Sequence, residues 1–194
     1  MTAIHLLRPV AALLATAVLF SSCSTTRSNQ TAQGKQAAAP LYKWWGDDLS
    51  GPVSIRINLN EQKGTIYRGG QEAGWTVLAT GTTHHRTPSG TFYVMEKIPD
   101  KVSNTYGVIV NGSSEIVNGD AQAGVTHVPA GCRFVGASMP YWMRITGYGV
   151  GMHAGDIPEP GLPASHGCIR LPRDFAGTLY NVVSVGTPVI ITGS

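Results

Sequence analysis

The stretch Val53-Ser54-Ile55-Arg56-Ile57-Asn58-Leu59 alternates apolar and polar side chains with a period of two. That period is typical of a half-buried β-strand, because successive side chains of a strand point to opposite faces of the sheet. Turn-forming residues follow at Asn60–Gly64, and Thr65–Arg68 then predicts the returning strand of a hairpin. The sequence therefore predicts a domain built mainly from strands.

Short apolar runs bounded by Gly, Pro or Asn continue this pattern along the chain. They predict further strands at residues 75–80, 92–96, 106–110, 141–146 and 189–192. One helix is predicted just after Pro172, because Phe175, Leu179 and Val183 recur at helical spacing. Many short strands and so little helix predict a mainly β fold, a β-sandwich or curled mixed sheets with one or two short helices.

Charged residues are sparse and mixed in sign. They make up 13% of the 194 residues, and the formal net charge is +3. The basic residues form no run, so nothing in their distribution favours nucleic-acid binding. A chain of this length can form one domain with a substantial core and is too short for two of ordinary size.

The N-terminal residues have the pattern of an export signal. Pro9–Phe20 is apolar apart from one Thr, which is shorter than the roughly 20 residues needed to cross a bilayer as a helix. Leu19–Cys23 resembles the bacterial lipoprotein signal, which implies that Cys23 is acylated and becomes the mature N-terminus. Ser24 would then imply an outer-membrane anchor facing the periplasm. Cleavage by an ordinary signal peptidase, without lipid, is the alternative.

The next segment predicts a tether. Ser24–Pro40 contains no Leu, Ile, Val or aromatic residue, so it cannot bury enough apolar surface to offset its ordering entropy. We therefore expect a signal peptide at 1–22, a lipidated tether at 23–50 and a catalytic domain at 51–194. The aromatic cluster at Leu41–Trp45 is predicted to dock on the domain, with stacking on a sugar polymer as the alternative.

Two residues that suit nucleophilic catalysis lie at the ends of one loop. His153 and Cys168 are separated by several prolines and glycines, which exclude a long helix or strand between them and allow the two ends to meet. An imidazole beside a thiol can take its proton and favour the nucleophilic thiolate. Three other interpretations stay open: a Cys132–Cys168 disulfide, a zinc site formed by His153, His166 and Cys168, and a purely structural His166.

The segment Ser165–Arg170, read with His153, resembles the signature of the L,D-transpeptidase catalytic domain, the YkuD family. That signature is a histidine, a loop, and then Ser/Thr-His-Gly-Cys followed by an apolar residue and Asn or Arg. Arg86–Phe92 and Met139–Trp142 are similar to other motifs of the family. The resemblance implies a β-sandwich of mixed sheets.

The resemblance also implies a role for each matching residue. Cys168 would be the nucleophile and His153 the proton acceptor and donor, with the backbone carbonyl of Ala154 orienting the imidazole. The amides of His166, Gly167 and Cys168 would form the oxyanion hole, next to Ser165 of the signature. Arg170 would support the loop or meet a substrate carboxylate.

The activity implied is acyl transfer on peptidoglycan stem peptides. An acyl-thioester forms on the cysteine and passes to an amine of a second stem or of a wall-anchored protein. Such chemistry requires no metal ion or organic cofactor. A carboxypeptidase that transfers to water and a non-catalytic wall-binding module are the alternatives.

Overall fold

The computed structural model describes residues 39–194 of the chain. The predicted signal peptide, Cys23 and the tether up to residue 38 lie outside the described residues, so they remain sequence predictions. Within 39–194, no helix combines the length and the apolar character that crossing a membrane requires.

In residues 39–194, eleven strands form two sheets, and the first sheet contains six of them. Its order from edge to edge is β1 (Tyr42–Trp44), β4 (Gln71–Val77), β3 (Lys63–Arg68), β2 (Val53–Asn58), β11 (Pro188–Thr192) and β5 (Gly90–Tyr93). Strands β2 and β11 pair in parallel and the other pairs are antiparallel, so this sheet is mixed.

The second sheet has five strands and is also mixed. Its order is β10 (Ile169–Leu171), β9 (Gly151–Ala154), β8 (Arg133–Arg144), β6 (Glu96–Val110) and β7 (Ile116–Gln122). Only the pair β9 and β10 runs parallel. The helix α1 (Arg173–Val182) follows β10 directly, and a 3-10 turn spans Gly46–Asp48. The prediction of a mainly β fold with mixed sheets and short helices is confirmed.

The core lies between the two sheets and against α1. Ile55 and Ile57, the alternate apolar residues of the first predicted strand, are each 2% exposed and face this core. From the second sheet and the helix, Met152, Ile169 and Phe175 reach the same cluster and are fully buried. The period of two in the sequence therefore corresponds to one core-facing side of β2.

The structure contains strands that the sequence pattern does not reveal. These are β1, β7, β9, β10 and the first halves of β6 and β8. Three of them are only three or four residues long, and β6 begins with charged residues and a proline, so no period is visible in them. Strand β1 places the aromatic cluster on the domain, where Tyr42 pairs with Thr76 and packs on the Phe175 ring at 5.2 Å. The first sheet thus includes residues ahead of the boundary at 51.

A lysine from the second sheet caps the C-terminus of α1. Lys97 of β6 donates through Nζ to the carbonyl oxygens of Tyr180 and Val183, each at 2.6 Å. The same ammonium lies 4.2 Å from the centre of the Tyr180 ring. A cation at a helix C-terminus satisfies unpaired carbonyls and interacts favourably with the helix dipole.

We expect Lys97→Met to lower the free energy of unfolding by about 1–3 kcal/mol, because two half-buried carbonyls lose a charged donor. Urea unfolding followed by circular dichroism measures the loss. Lys43→Met is the matched control, since Lys43 is exposed on the edge strand β1. Equal stability of the two variants would contradict the capping role.

Candidate active site

The parallel pairing of β9 and β10 brings the two ends of the predicted catalytic loop together. Arg170 pairs with His153, and Ile169 pairs with Met152. Cys168 immediately precedes β10, so it lies at the strand end next to β9. The intervening segment, residues 155–168, contains no helix or strand, as its prolines and glycines predicted.

His153 and Cys168 line the same cavity, which has a volume of about 620 Å³. His153 is 6% exposed, whereas Cys168 is half-buried. The wall beside them comes from β8, where Trp142 lies with its ring centre 6.1 Å from that of His153. The sulfur and the imidazole therefore share one partly enclosed space that is open to a ligand.

A backbone carbonyl fixes the orientation of His153. Its Nδ1 lies 2.8 Å from the carbonyl oxygen of Ala154. Because a carbonyl oxygen can only accept, Nδ1 carries the hydrogen in this arrangement, and Nε2 keeps its lone pair in the neutral ring. The free lone pair makes Nε2 the ring atom able to take a proton.

Burial keeps this imidazole neutral. It lowers the pKa of His153 to about 4, and the positive charge of Arg170 acts in the same direction, while the Ala154 carbonyl opposes both. A neutral imidazole at neutral pH is the form that can act as a general base.

The thiol of Cys168 is also neutral at neutral pH. Burial raises the pKa of the thiol, while a hydrogen bond from the Gly151 amide and the charge of Arg170 lower it in part. The Cys168 Sγ donates to the Gly149 carbonyl at 3.8 Å. Sequence reasoning did not assign these two glycines to the site, because they contribute only backbone groups and carry no side chain that suits the chemistry.

Two of the alternative interpretations do not fit this geometry. Cys132 and Cys168 are both free thiols, so the disulfide is absent from the described residues. In residues 39–194, no group of three His, Cys, Asp or Glu side chains converges as a metal site would require. The structure thus gives no support to a zinc site at His153, His166 and Cys168.

His166 lines the same cavity as Cys168, and its ring contacts other side chains. Its Nε2 lies 3.0 Å from Asp120 Oδ1, and its ring stacks on Tyr106 with the ring centres 4.5 Å apart. The ring of His85 contacts it edge-on at 4.6 Å. These contacts tie the loop to strands β6 and β7, which is the arrangement expected of a structural histidine.

Ser165 holds the backbone on both sides of Gly167. Its Oγ donates to the Cys168 carbonyl and accepts from the Gly167 amide at 3.1 Å. The Gly167 amide is therefore occupied, and the predicted oxyanion hole of three amides is reduced to those of His166 and Cys168.

Arg170 both supports the loop and faces the cavity. Its Nη1 donates to the Asp156 carbonyl at 3.4 Å, and its side chain crosses Gly155, where a Cβ would come within 2.9 Å of it. The residue also lines the cavity. The two predicted roles, loop support and contact with a substrate carboxylate, are thus compatible in one side chain.

The cavity wall is positively charged. Lys101, Arg144 and Arg170 line it, and none of the described Asp or Glu residues does. Arg144 pairs at 3.2 Å with Glu96, which lies outside the lining. Positive charge on the wall favours a ligand that carries carboxylates.

Comparison with known proteins gives one consistent result. Residues 52–191 match the YkuD family, described as the L,D-transpeptidase catalytic domain. The probable L,D-transpeptidase 3 of Mycobacterium tuberculosis is 33% identical over 123 residues, covering 62% of this chain and 39% of that protein.

Solved structures agree with this match. The structure of the Ldtfm-avibactam carbamoyl enzyme is 30% identical with a TM-score of 0.56, covering 74% of this chain and 50% of that one. An L,D-transpeptidase from Mycobacterium smegmatis has a TM-score of 0.57 at 23% identity, covering 73% and 59%. It shares the fold.

The chain spans about four- to five-tenths of the length of the curated relatives that it matches. Within that span, the family match runs from the start of β2 into β11 and includes the loop between His153 and Cys168. The chain belongs to the YkuD family of L,D-transpeptidase catalytic domains.

Proposed function

We propose that this protein is a cysteine L,D-transpeptidase that acts on peptidoglycan stem peptides. The observation that carries the proposal is the shared cavity of His153 and Cys168, with Nδ1 bonded to the Ala154 carbonyl and Nε2 left as a proton acceptor. This arrangement of nucleophile, base and orienting group is the one that covalent acyl transfer requires.

In the first step, the Cys168 Sγ attacks the carbonyl carbon of the third stem residue while His153 Nε2 takes the thiol proton. Proton transfer accompanies attack, because both groups start neutral. The oxyanion of the tetrahedral intermediate accepts from the Cys168 amide. The intermediate then collapses, the bond to the terminal D-alanine breaks, and the imidazolium returns its proton to the leaving amine. An acyl-thioester remains on the sulfur.

In the second step, an amine attacks the thioester carbon and His153 takes its proton. The new amide forms, the C–S bond breaks and the thiol is regenerated. An amine from a neighbouring stem gives a cross-link, and an amine from a wall-anchored protein anchors that protein. Water as the acceptor gives carboxypeptidase activity, which trapping of the acceptor separates from transfer.

The charge of the cavity supports an acidic peptide as the donor. Stem peptides carry carboxylates, and Lys101, Arg144 and Arg170 on the wall complement them. The related Ldtfm protein has been solved as its avibactam carbamoyl enzyme, which is a covalent adduct. By analogy we expect this chain to form covalent adducts with acylating inhibitors. A non-catalytic wall-binding module would need neither a neutral base nor a half-buried thiol beside it.

We propose further that the protein is a lipoprotein of the cell envelope. Acyl chains on Cys23 would give stable anchoring, since each buried methylene contributes about 0.8 kcal/mol. The segment from Ser24 would then hold the domain away from an outer membrane, on its periplasmic side.

Acylation of Cys168 is the direct test of the activity. We expect a donor tetrapeptide or a carbapenem to add its acyl mass to the wild-type protein in intact-mass spectrometry. Cys168→Ala should lower the acylation rate by at least about three orders of magnitude, because the nucleophile is lost. Cys132→Ala is the matched control and should be acylated normally. Unchanged muropeptides in a Cys168→Ala strain would count against the assignment.

The pH dependence of acylation should follow His153. Because protonation removes the base, the acylation rate falls as the pH drops through the pKa of His153, about 4, and not near the ordinary value of 6.5. Arg170→Met removes a charge that disfavours the imidazolium, so the acid limb should move to higher pH, whereas Arg170→Lys should leave it in place. A wild-type limb near 6.5 would contradict the assignment of His153.

Lipidation can be tested separately from catalysis. We expect a fatty-acid analogue to label the wild-type protein and to fail to label Cys23→Ser, because the acceptor thiol is lost. Cys132→Ser is the control and should keep its label. Labelling of Cys23→Ser at the wild-type level would remove the proposed anchor without touching the proposed activity.

A further inference from the structure

A buried threonine outside the signature touches the backbone of the nucleophile's loop. Thr87 is 5% exposed. Its Oγ1 accepts from the Gly81 amide at 2.8 Å and donates to the Gly167 carbonyl, also at 2.8 Å. One hydroxyl thus makes a donor bond and an acceptor bond, and both of its roles are filled by backbone groups.

This threonine lies behind the site. It lines a separate cavity of about 240 Å³ and is absent from the wall of the cavity that holds Cys168. The backbone around Gly81 is closely packed against the loop, because a Cβ on Gly81 would lie 1.9 Å from the His85 carbonyl oxygen and 2.9 Å from the Gly167 Cα. Any effect of Thr87 on the reaction therefore passes through the backbone that it holds.

The bond to Gly167 fixes the direction of another group. The Gly167 carbonyl and the Cys168 N–H belong to one planar trans peptide, so they point in opposite directions. Holding the carbonyl at Thr87 turns the Cys168 N–H away from Thr87. Gly167 has φ +106°, a conformation that glycine adopts without a steric penalty, so the Thr87 bond adds a restraint on this peptide that the glycine backbone alone does not supply.

Two other backbone groups near the sulfur are occupied. The Ser165 Oγ accepts a hydrogen bond from the Gly167 N–H and donates one to the Cys168 carbonyl. Among the described residues, no acceptor bonds to the Cys168 N–H. An unpaired amide next to a nucleophile has the character of an oxyanion donor.

We propose that Thr87 is a positioning residue that aims the Cys168 N–H at the oxyanion formed during acyl transfer. The inference rests on the proposed function, since it requires an oxyanion. Thr87 touches neither substrate nor sulfur. Its hydroxyl holds the Gly167–Cys168 peptide in the orientation that stabilises negative charge on the carbonyl oxygen.

Two reactions of the Cys168 thiol distinguish a role in oxyanion stabilisation from a general structural effect on the thiol. Acylation by a donor tetrapeptide or a carbapenem builds negative charge on an oxygen, whereas alkylation by iodoacetamide displaces iodide at a saturated carbon and builds none there. We expect Thr87→Val to slow acylation by about 10- to 100-fold, somewhat less than removal of an oxyanion donor, and to change alkylation by less than about 3-fold. With the donor peptide, the loss should appear in kcat more than in KM.

Thr87→Ser keeps the hydroxyl and should restore most of the acylation rate. Thr91→Val is the matched control, since Thr91 is exposed on β5 and should leave both reactions unchanged. Circular dichroism and thermal unfolding of each variant identify a folding defect. If Thr87→Val proves unstable, Thr87→Ser and Thr87→Cys, compared by the ratio of acylation to alkylation, carry the test instead.

The outcomes are distinct. Equal losses of acylation and alkylation in Thr87→Val, or no loss of either, would overturn the positioning role while leaving the proposed function in place. A wild-type protein that is alkylated but never acylated by either probe would overturn the proposed function and the inference with it.

Discussion

Parallel pairing of two very short strands is the constraint on which the site depends. Strands β9 and β10 have four and three residues, and their register sets His153 beside Arg170. Parallel strands need a crossover connection, commonly helical, but here the crossover is the loop from residue 155 to 168. So short a ladder is held by burial, since Met152 and Ile169 are fully buried in the core. Apolar packing thus keeps His153 and Cys168, the proposed base and nucleophile, in one cavity.

A second set of contacts keeps the loop from moving relative to the sheets. The amides of Ala164 and Ser165 both donate to the Thr80 carbonyl at 3.0 Å. Thr80 is held in turn by Gln62, whose buried amide side chain bonds both the Thr80 amide and hydroxyl at 2.8 Å. Gln62 sits at φ +48° in the turn between β2 and β3. A strained backbone conformation persists only where the surrounding hydrogen bonds hold it. The turn between β2 and β3 is therefore a rigid support for the loop from residue 155 to 168.

The sequence predicts what is local and misses what is not. The alternation at residues 53–59 predicts β2, because a strand with one buried face has apolar residues at every second position. Cys168 and His153 stand out because their residue types suit nucleophilic chemistry. The Thr87 bond to Gly167 joins residues 80 positions apart, and no local pattern encodes it. The state of the thiol also depends on tertiary packing, since an adjacent histidine suggests a thiolate whereas burial raises the pKa of Cys168.

The charge of Arg170 has opposite consequences for His153 and Cys168, and the reaction that we propose would use both. It lowers the pKa of the thiol, so it favours negative charge as the sulfur loses its proton. It also lowers the pKa of His153, so the imidazolium formed on attack is a stronger acid than an ordinary one. A stronger acid returns its proton more readily to the leaving amine, which is the step that commits the intermediate to the thioester. The positive charge of Arg170 therefore opposes proton transfer to His153, but it assists both the attack by the sulfur and the departure of the amine. Because burial keeps His153 and Cys168 neutral before the reaction, each charge appears only as bonds change.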